Sequence, residues 1–328
     1  MGRSVLPCFQ PRSQCLLLTE DASNFCSSLT KDLKRLEQSF ATDSVSLKWS
    51  VEAMSLLKKM QVELLVLFKK SKLPISYGAE EDWFDQYMKE TATLLDFCNS
   101  LKSAVSGINR YRMVVELAIQ KLGEVDNSST MADVNNIEFE RVHRRNHEKL
   151  LDAGVMKETS RLGSGISSGG NQMQVKSMAV VMLAAKTTMI VLSLLLVSAM
   201  VSPVSIDMGN GDITHKVPQL KPCMELLTQL VGRFHERSPR PESGSGLALV
   251  EHEMVDEVVG DLRAQVVEGR VDDRERFLSG VELLRTRSAG LNEGVERFDA
   301  AVDEVFEEVM RGRNEMLGMF RDGALSGG

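Results

Sequence analysis

Two histidines, His143 and His147, lie four residues apart in a stretch whose pattern predicts a helix, with Glu140 close by. A four-residue spacing places both imidazoles on one helical face, where the carboxylate could join them in binding a zinc ion. Arg144 and Arg145 lie between the histidines and would repel a cation. We therefore interpret the stretch as a solvated basic face, and we predict no metal site and no other cofactor.

A second chemical pattern is Gly-x-Ser-x-Gly, formed by Gly165, Ser167 and Gly169. In hydrolases this pattern needs a strand before the serine and a helix after it. Here it lies in a run of glycine and serine, which is typical of a flexible linker. No Gly-Lys-Ser or Gly-Lys-Thr of a phosphate-binding loop follows these glycines. We therefore predict no catalytic residues, and we expect that the chain is not an enzyme.

The cysteines are five in number and scattered, with no C-x-x-C pair. An odd count without paired spacing indicates reduced thiols in a cytosolic setting rather than a disulfide framework. The five residues are Cys8, Cys15, Cys26, Cys98 and Cys223.

Acidic residues are concentrated at the C-terminal end of the chain. The net charge of the 328 residues is −7, and residues 247–328 contain 19 Asp or Glu against 10 Arg and no Lys. A general nucleic-acid surface requires clustered Lys and Arg, so we predict that nucleic acid is not a partner. The acidic residues indicate a solvated helical face, with a docking surface for a basic protein as the alternative.

The longest apolar stretch, residues 178–201, contains one charged residue, Lys186. A helix of this length runs about 36 Å, which suffices to cross a bilayer or the middle of a helical bundle. Lys186 opposes insertion into lipid, and aromatic residues are absent from 140–233, where spanning helices often carry them at the interfaces. We favour a helix buried in the bundle, in which Lys186 reaches the surface or an acidic partner. The alternative is a single transmembrane span.

Amphipathic stripes before this stretch predict three helices. The first stripe comprises Phe25, Leu29, Leu33, Leu36 and Phe40, at steps of three and four residues. A second begins at Leu47, with an N-cap predicted in the cluster 42–44, and a third begins near Trp83. Because Trp49 and Trp83 lie on these stripes, we predict that both are core residues.

The last helix carries a coiled-coil-like seam flanked by acids. The seam residues Phe298, Val302, Val305 and Val309 must be covered by the N-terminal helices or by another protein, since an isolated amphipathic helix is marginal in water. We favour the first possibility and retain the four residues as candidate partner-binding residues. The flank would steer a basic partner toward them. It consists of Asp299, Asp303, Glu304, Glu307 and Glu308.

Four ordered segments carry a family resemblance: SLKWSVEAM at 46–54, LPIS at 73–76, DWFDQY at 82–87 and LLDFCN at 94–99. Together they resemble the plant BYPASS family, most closely over residues 25–125 and more thinly in the central hydrophobic helix and at 306–313. The resemblance implies a role in developmental signalling between root and shoot, or in exocyst-dependent secretion. It also implies a protein partner, such as an exocyst subunit. It supplies no catalytic residue.

These observations predict an all-α protein, an elongated multi-helix bundle with long antiparallel helices and one central hydrophobic helix. We assign residues 1–20 to a disordered lead, 21–160 to an N-terminal helical block and 161–176 to a linker. Residues 177–202 form the hydrophobic helix and 203–328 an acidic C-terminal helical block. The expected function is that of a non-enzymatic regulatory or adaptor protein in the cytoplasm, with membrane association possible. The alternative is a single-pass membrane protein anchored by residues 178–201.

Overall fold

The computed structural model describes seven stretches of the chain, and every statement about structure below concerns these residues. They are 18–42, 45–71, 83–123, 173–200, 218–237, 249–267 and 274–326.

Each described stretch consists mainly of one helix, and no strand occurs among these residues. The predicted all-α class is therefore confirmed. The helices are α1 (Glu20–Thr42), α2 (Leu47–Ser71), α3 (Trp83–Gly123), α4 (Met173–Met200), α5 (Lys221–Arg237, preceded by a 3₁₀ turn at Pro218–Leu220), α6 (Val250–Val267) and α7 (Arg274–Ser326).

Helices α1 and α2 pack antiparallel. Lys70 of α2 pairs with Asp21 at 3.2 Å near one end, and the rings of Phe40 and Trp49 meet edge to face at 5.2 Å near the other. The stripe predicted from Phe25 to Phe40 is buried, as is Trp49. The burial of Trp49 confirms its predicted core position. Trp83 begins α3, but its side chain lies outside what the structure describes.

The N-terminus of α2 is capped from two sides. Ser46 accepts a hydrogen bond from the Trp49 amide at 3.2 Å, and the Glu251 carboxylate of α6 accepts one from the Leu47 amide at 3.0 Å. The prediction that the cap lies within 42–44 is therefore wrong, because the helix begins at Leu47 and its N-cap must be the residue just before it. A carboxylate is favourable there because it faces the positive end of the helix dipole.

Helix α7 has 53 residues, which corresponds to about 80 Å and makes the bundle elongated. It packs along α2, α3 and α6. It runs parallel to α2, where Lys58 pairs with Glu304 at 3.1 Å and Gly294 approaches Leu47. It runs antiparallel to α3, since Lys102 pairs with Asp299 whereas Arg313 reaches Thr91, earlier in α3.

Helix α4 lies among α1, α2, α3 and α5. By length and composition its residues 177–200 could cross a membrane, and 83% of the most apolar window is buried inside the fold. The helix begins at Met173, inside the range 161–176 that the sequence assigns to the linker, because the helix-breaking glycines end at Gly170. A single connected core contains residues of all seven helices.

Candidate functional site

The only charged residue of 178–201, Lys186, pairs with Glu90 of α3. Its Nζ lies 2.6 Å from Glu90 Oε1, and the side chains are 21% and 11% exposed. The prediction that Lys186 reaches the surface or an acidic partner is confirmed, and the partner is Glu90. A buried ammonium requires such a partner because an uncompensated charge inside a protein is costly.

Further polar atoms surround this pair. The second carboxylate oxygen of Glu90 and the amide oxygen of Gln61 are both buried and without a hydrogen-bond donor. They line a small space together with Thr91 and Lys186, enclosed by Leu64, Tyr87, Met182, Ala185 and Met189. The space is about the size of one water molecule, which has two O–H groups and could donate to both oxygens. We call Gln61, Glu90 and Lys186 the interior polar cluster.

Helix α7 reaches the edge of this cluster through Arg313. Its Nη1 donates to Thr91 Oγ1 at 2.8 Å and to the Met88 carbonyl. Thr91 in turn donates to the Tyr87 carbonyl at 2.7 Å. Burial is the main reason that the pKa of Tyr87 rises to about 12, so its phenol keeps its proton to a more alkaline pH than an exposed tyrosine does. Polar contacts therefore run from α4 through α3 to α7.

A second cluster joins α3 to α6. The Tyr111 hydroxyl donates to Asp256 Oδ1, and His252 Nδ1 lies 3.1 Å from Asp256 Oδ2. The Tyr111 and His252 rings are 4.4 Å apart. A carboxylate placed beside a histidine is the arrangement that orients a general base in many enzymes. Here the His252 side chain is 1% exposed, so a substrate has no access to it and the cluster serves to hold two helices together.

The candidate partner-binding residues Phe298, Val302, Val305 and Val309 are all completely buried. Helices α2 and α3 cover this part of the bundle together with α7. The N-terminal helices therefore cover the seam, which is the possibility that the sequence favours. A partner could contact these residues only if the bundle opened, and their role in partner binding stays a prediction.

The acidic flank of the seam is largely neutralised within the chain. Lys102 of α3 pairs with Asp299 at 2.6 Å and with Asp303 at 2.7 Å, and Lys58 of α2 pairs with Glu304. Arg311 pairs with Glu308 on the same helix. The expectation that this flank steers a basic partner is weakened, because four of its five carboxylates already have basic neighbours in the fold. Periodicity in one helix could not show which lysines of other helices would face it.

The most exposed large apolar side chains of the described residues are Met113 and Leu117, at 60% and 58%. They lie four residues apart on α3 and therefore share one helical face. Five others are exposed to a smaller degree elsewhere: Val66, Met254, Leu278, Leu283 and Met310. Sequence reasoning missed the Met113 and Leu117 face because both residues fall outside the stripe that the core uses.

Three residues of the structural clusters, Glu90, His252 and Asp256, also escaped sequence reasoning. Glu90 is one acid among many on a helix, and nothing in its local pattern indicates that α4 will pack beside it. His252 and Asp256 do carry a signal, since they are four residues apart on a helix and form an i,i+4 pair.

Several predicted positions lie outside the described residues: Glu140, His143, His147, the Gly165–Gly169 pattern, Cys8 and Cys15. Cys26, Cys98 and Cys223 are buried free thiols, and the reduced state of all five cysteines stays a prediction. In the described stretches, no group of three or more His, Cys, Asp or Glu side chains could hold a metal ion.

Comparison with protein families, with curated proteins and with solved structures gave no match to this chain.

Proposed function

We propose that this chain is a non-enzymatic regulatory or adaptor protein that acts through interactions of its helix faces. Its context would be plant developmental signalling between root and shoot, or membrane trafficking. The resemblance of residues 46–54 and 94–99 to BYPASS proteins supports the context. The exposed face of Met113 and Leu117 supports the mode of action and is the observation that carries the proposal.

An adaptor needs a surface that remains free after its own core has formed. Most apolar side chains of the described helices are used internally, including the whole seam of α7. Met113 and Leu117 remain exposed on the 41-residue helix α3, and apolar residues at i and i+4 are the anchors of helix-mediated recognition. The protein partner proposed from the family resemblance is an exocyst subunit.

Binding to purified exocyst subunits, measured one subunit at a time by calorimetry with the full chain, tests this proposal. We expect one subunit to bind, and we expect Met113→Glu with Leu117→Glu to weaken binding at least about tenfold, because two charges replace apolar anchors. Leu283→Glu, on an exposed position of α7, is the matched control and should bind as the unaltered chain does. Binding by no subunit, or equal binding by the double variant, would refute the proposal.

A second candidate is a single-pass tether anchored by residues 178–201. The observation that favours it is the length and composition of α4, which suffice to cross a membrane. Alkaline carbonate extraction of membranes from cells that express the chain separates the two. The adaptor should be released from the membrane fraction, whereas the anchored tether should stay in it.

A further inference from the structure

Helix α4 has no polar face. Apart from Lys186, residues 178–201 are apolar or small, and the helix is buried among four neighbours. Apolar burial is non-directional, so it distinguishes poorly between one rotation of this helix and another. It also distinguishes poorly between the interior of a bundle and the interior of a bilayer, since lipid tails accept the same surface.

The charge of Lys186 distinguishes the interior of the bundle from the interior of a bilayer, which apolar surface does not. Lys186 meets Glu90 at 2.6 Å, and Glu90 in turn lies beside Gln61 and Thr91, which no bilayer supplies. Two other polar contacts of α4 are neutral: Ser177 Oγ accepts from the Thr19 amide at 3.0 Å, and Thr188 lies 3.9 Å from the Cys223 sulfur. Among these polar contacts of α4, the Lys186–Glu90 pair is therefore the one whose loss costs the most free energy when α4 leaves the bundle.

From these contacts we infer that the Lys186–Glu90 pair is a lock that holds α4 in the bundle and keeps it out of a lipid bilayer. If α4 entered a bilayer, the Lys186 ammonium would move into or along lipid, and Glu90 would remain without its cation. The pair also fixes the register of α4, because one buried ionic contact is satisfied at only one rotation and height. This inference depends on the proposed role in membrane trafficking in one respect, which is that the chain encounters a lipid bilayer.

The rest of the fold is compatible with such a lock. The packing of α7 against α2, α3 and α6, and the packing of α1 against α2, do not involve α4. Ion pairs strengthen these other contacts, among them Lys102–Asp299 and Lys59–Asp32. Neither of these ion pairs includes Lys186 or Glu90, so weakening the lock acts first on α4.

Glu90→Gln is the decisive variant, since it breaks the pair and leaves the sequence of α4 unchanged. The full chain is incubated with neutral phosphatidylcholine vesicles, floated, and extracted at alkaline pH. The readout is the fraction of protein that stays with the vesicles. We expect Glu90→Gln to raise this fraction at least about tenfold over the unaltered chain, because the bundle then holds an unpaired ammonium.

Two further variants make the result specific. Glu304→Gln removes the partner of Lys58 at the exposed contact of α2 with α7, so it should leave the vesicle fraction unchanged. The exchange Glu90→Lys with Lys186→Glu restores an ion pair and should return the fraction to the unaltered level. Circular dichroism checks the helix content of each variant, and Glu90→Ala, which also leaves α4 unchanged, replaces Glu90→Gln if the latter does not fold.

Three outcomes would overturn the lock. They are an unchanged vesicle fraction for Glu90→Gln, an equal rise for Glu304→Gln, and an unaltered chain that already resists alkaline extraction. These results are independent of binding to exocyst subunits, which is measured on Met113 and Leu117 without vesicles. Failure of the lock and failure of the adaptor proposal can therefore be told apart.

Discussion

Three buried thiols, Cys26, Cys98 and Cys223, couple the stability of the fold to alkaline pH. Burial raises the pKa of Cys98 from 9.0 to about 12, with a smaller contribution from the charge of Asp303. The folded chain therefore keeps a proton that the unfolded chain releases above pH 9. The buried, protonated Cys98 thiol therefore costs the fold no stability below about pH 9. The free energy of unfolding declines as the pH rises from 9 toward 12.

Cys98→Ala should make the folded chain less sensitive to alkaline pH. Each fully linked proton changes the free energy of unfolding by about 1.4 kcal/mol per pH unit, so we expect the variant to lose about 1 kcal/mol less than the unaltered chain between pH 9 and 10. Urea unfolding at pH 7, 9 and 10 measures this difference. Parallel pH profiles for the two proteins would show that Cys98 does not stay protonated in the fold.

At the scale of single elements, glycines in α7 allow close contact with its neighbours. A Cβ at Gly294 would come within 2.7 Å of Leu47 Cδ1, and a Cβ at Gly312 would collide with the Tyr87 hydroxyl. Glycine within a helix is unfavourable relative to alanine, so these two positions are explained by packing. Gly290, on the same helix, has no neighbouring atom within 4 Å of such a Cβ.

Alanine substitutions should therefore have opposite effects within this one helix. We expect Gly312→Ala to lower the free energy of unfolding by about 1–3 kcal/mol, because the buried Tyr87 must shift. Gly290→Ala should raise it by roughly 0.5–1 kcal/mol through better helix propensity. Urea denaturation of both variants measures the difference. Equal stabilisation by both would mean that α7 does not approach α3 as closely as the structure has it.

At the scale of the whole molecule, α7 connects most of the bundle. Its seam lies in the same core as residues from α1 to α6, so a destabilising substitution at the seam should lower the stability of the whole fold. This connectivity predicts a single unfolding transition rather than separate melting of the N-terminal and C-terminal helices. Two-state behaviour of this kind is recognised when different probes report coincident transitions.

Val302→Asp tests this connectivity. A carboxylate at this completely buried position has no cation prepared for it, so we expect a loss of about 3–5 kcal/mol and a lower melting temperature. Met310→Asp, at an exposed position of the same helix, is the control and should melt as the unaltered chain does. Circular dichroism and tryptophan fluorescence should report the same loss. An unchanged melting temperature for Val302→Asp would instead identify the seam as a surface for a partner.

Much of the fold could be read from periodicity. The stripe from Phe25 to Phe40 predicted α1, and the spacing of Phe298, Val302 and Val305 predicted the buried face of α7. Such predictions succeed because a side chain's position around its own helix depends only on local geometry, with a repeat of 3.6 residues. The sequence thus determined the all-α class, the existence of the main helices and the face that each one buries.

Only the tertiary structure decided which faces meet. Lys186 and Glu90 are 96 residues apart, and no pattern near either residue specifies the other. The same holds for Lys102 with Asp299, and for Lys58 with Glu304. A helical stripe shows that a face will be covered but not by what, because apolar burial has no preferred partner. A charged side chain does have a preferred partner, which is a group of opposite charge. Such ion pairs form only after packing has brought distant segments to within a few ångströms of each other.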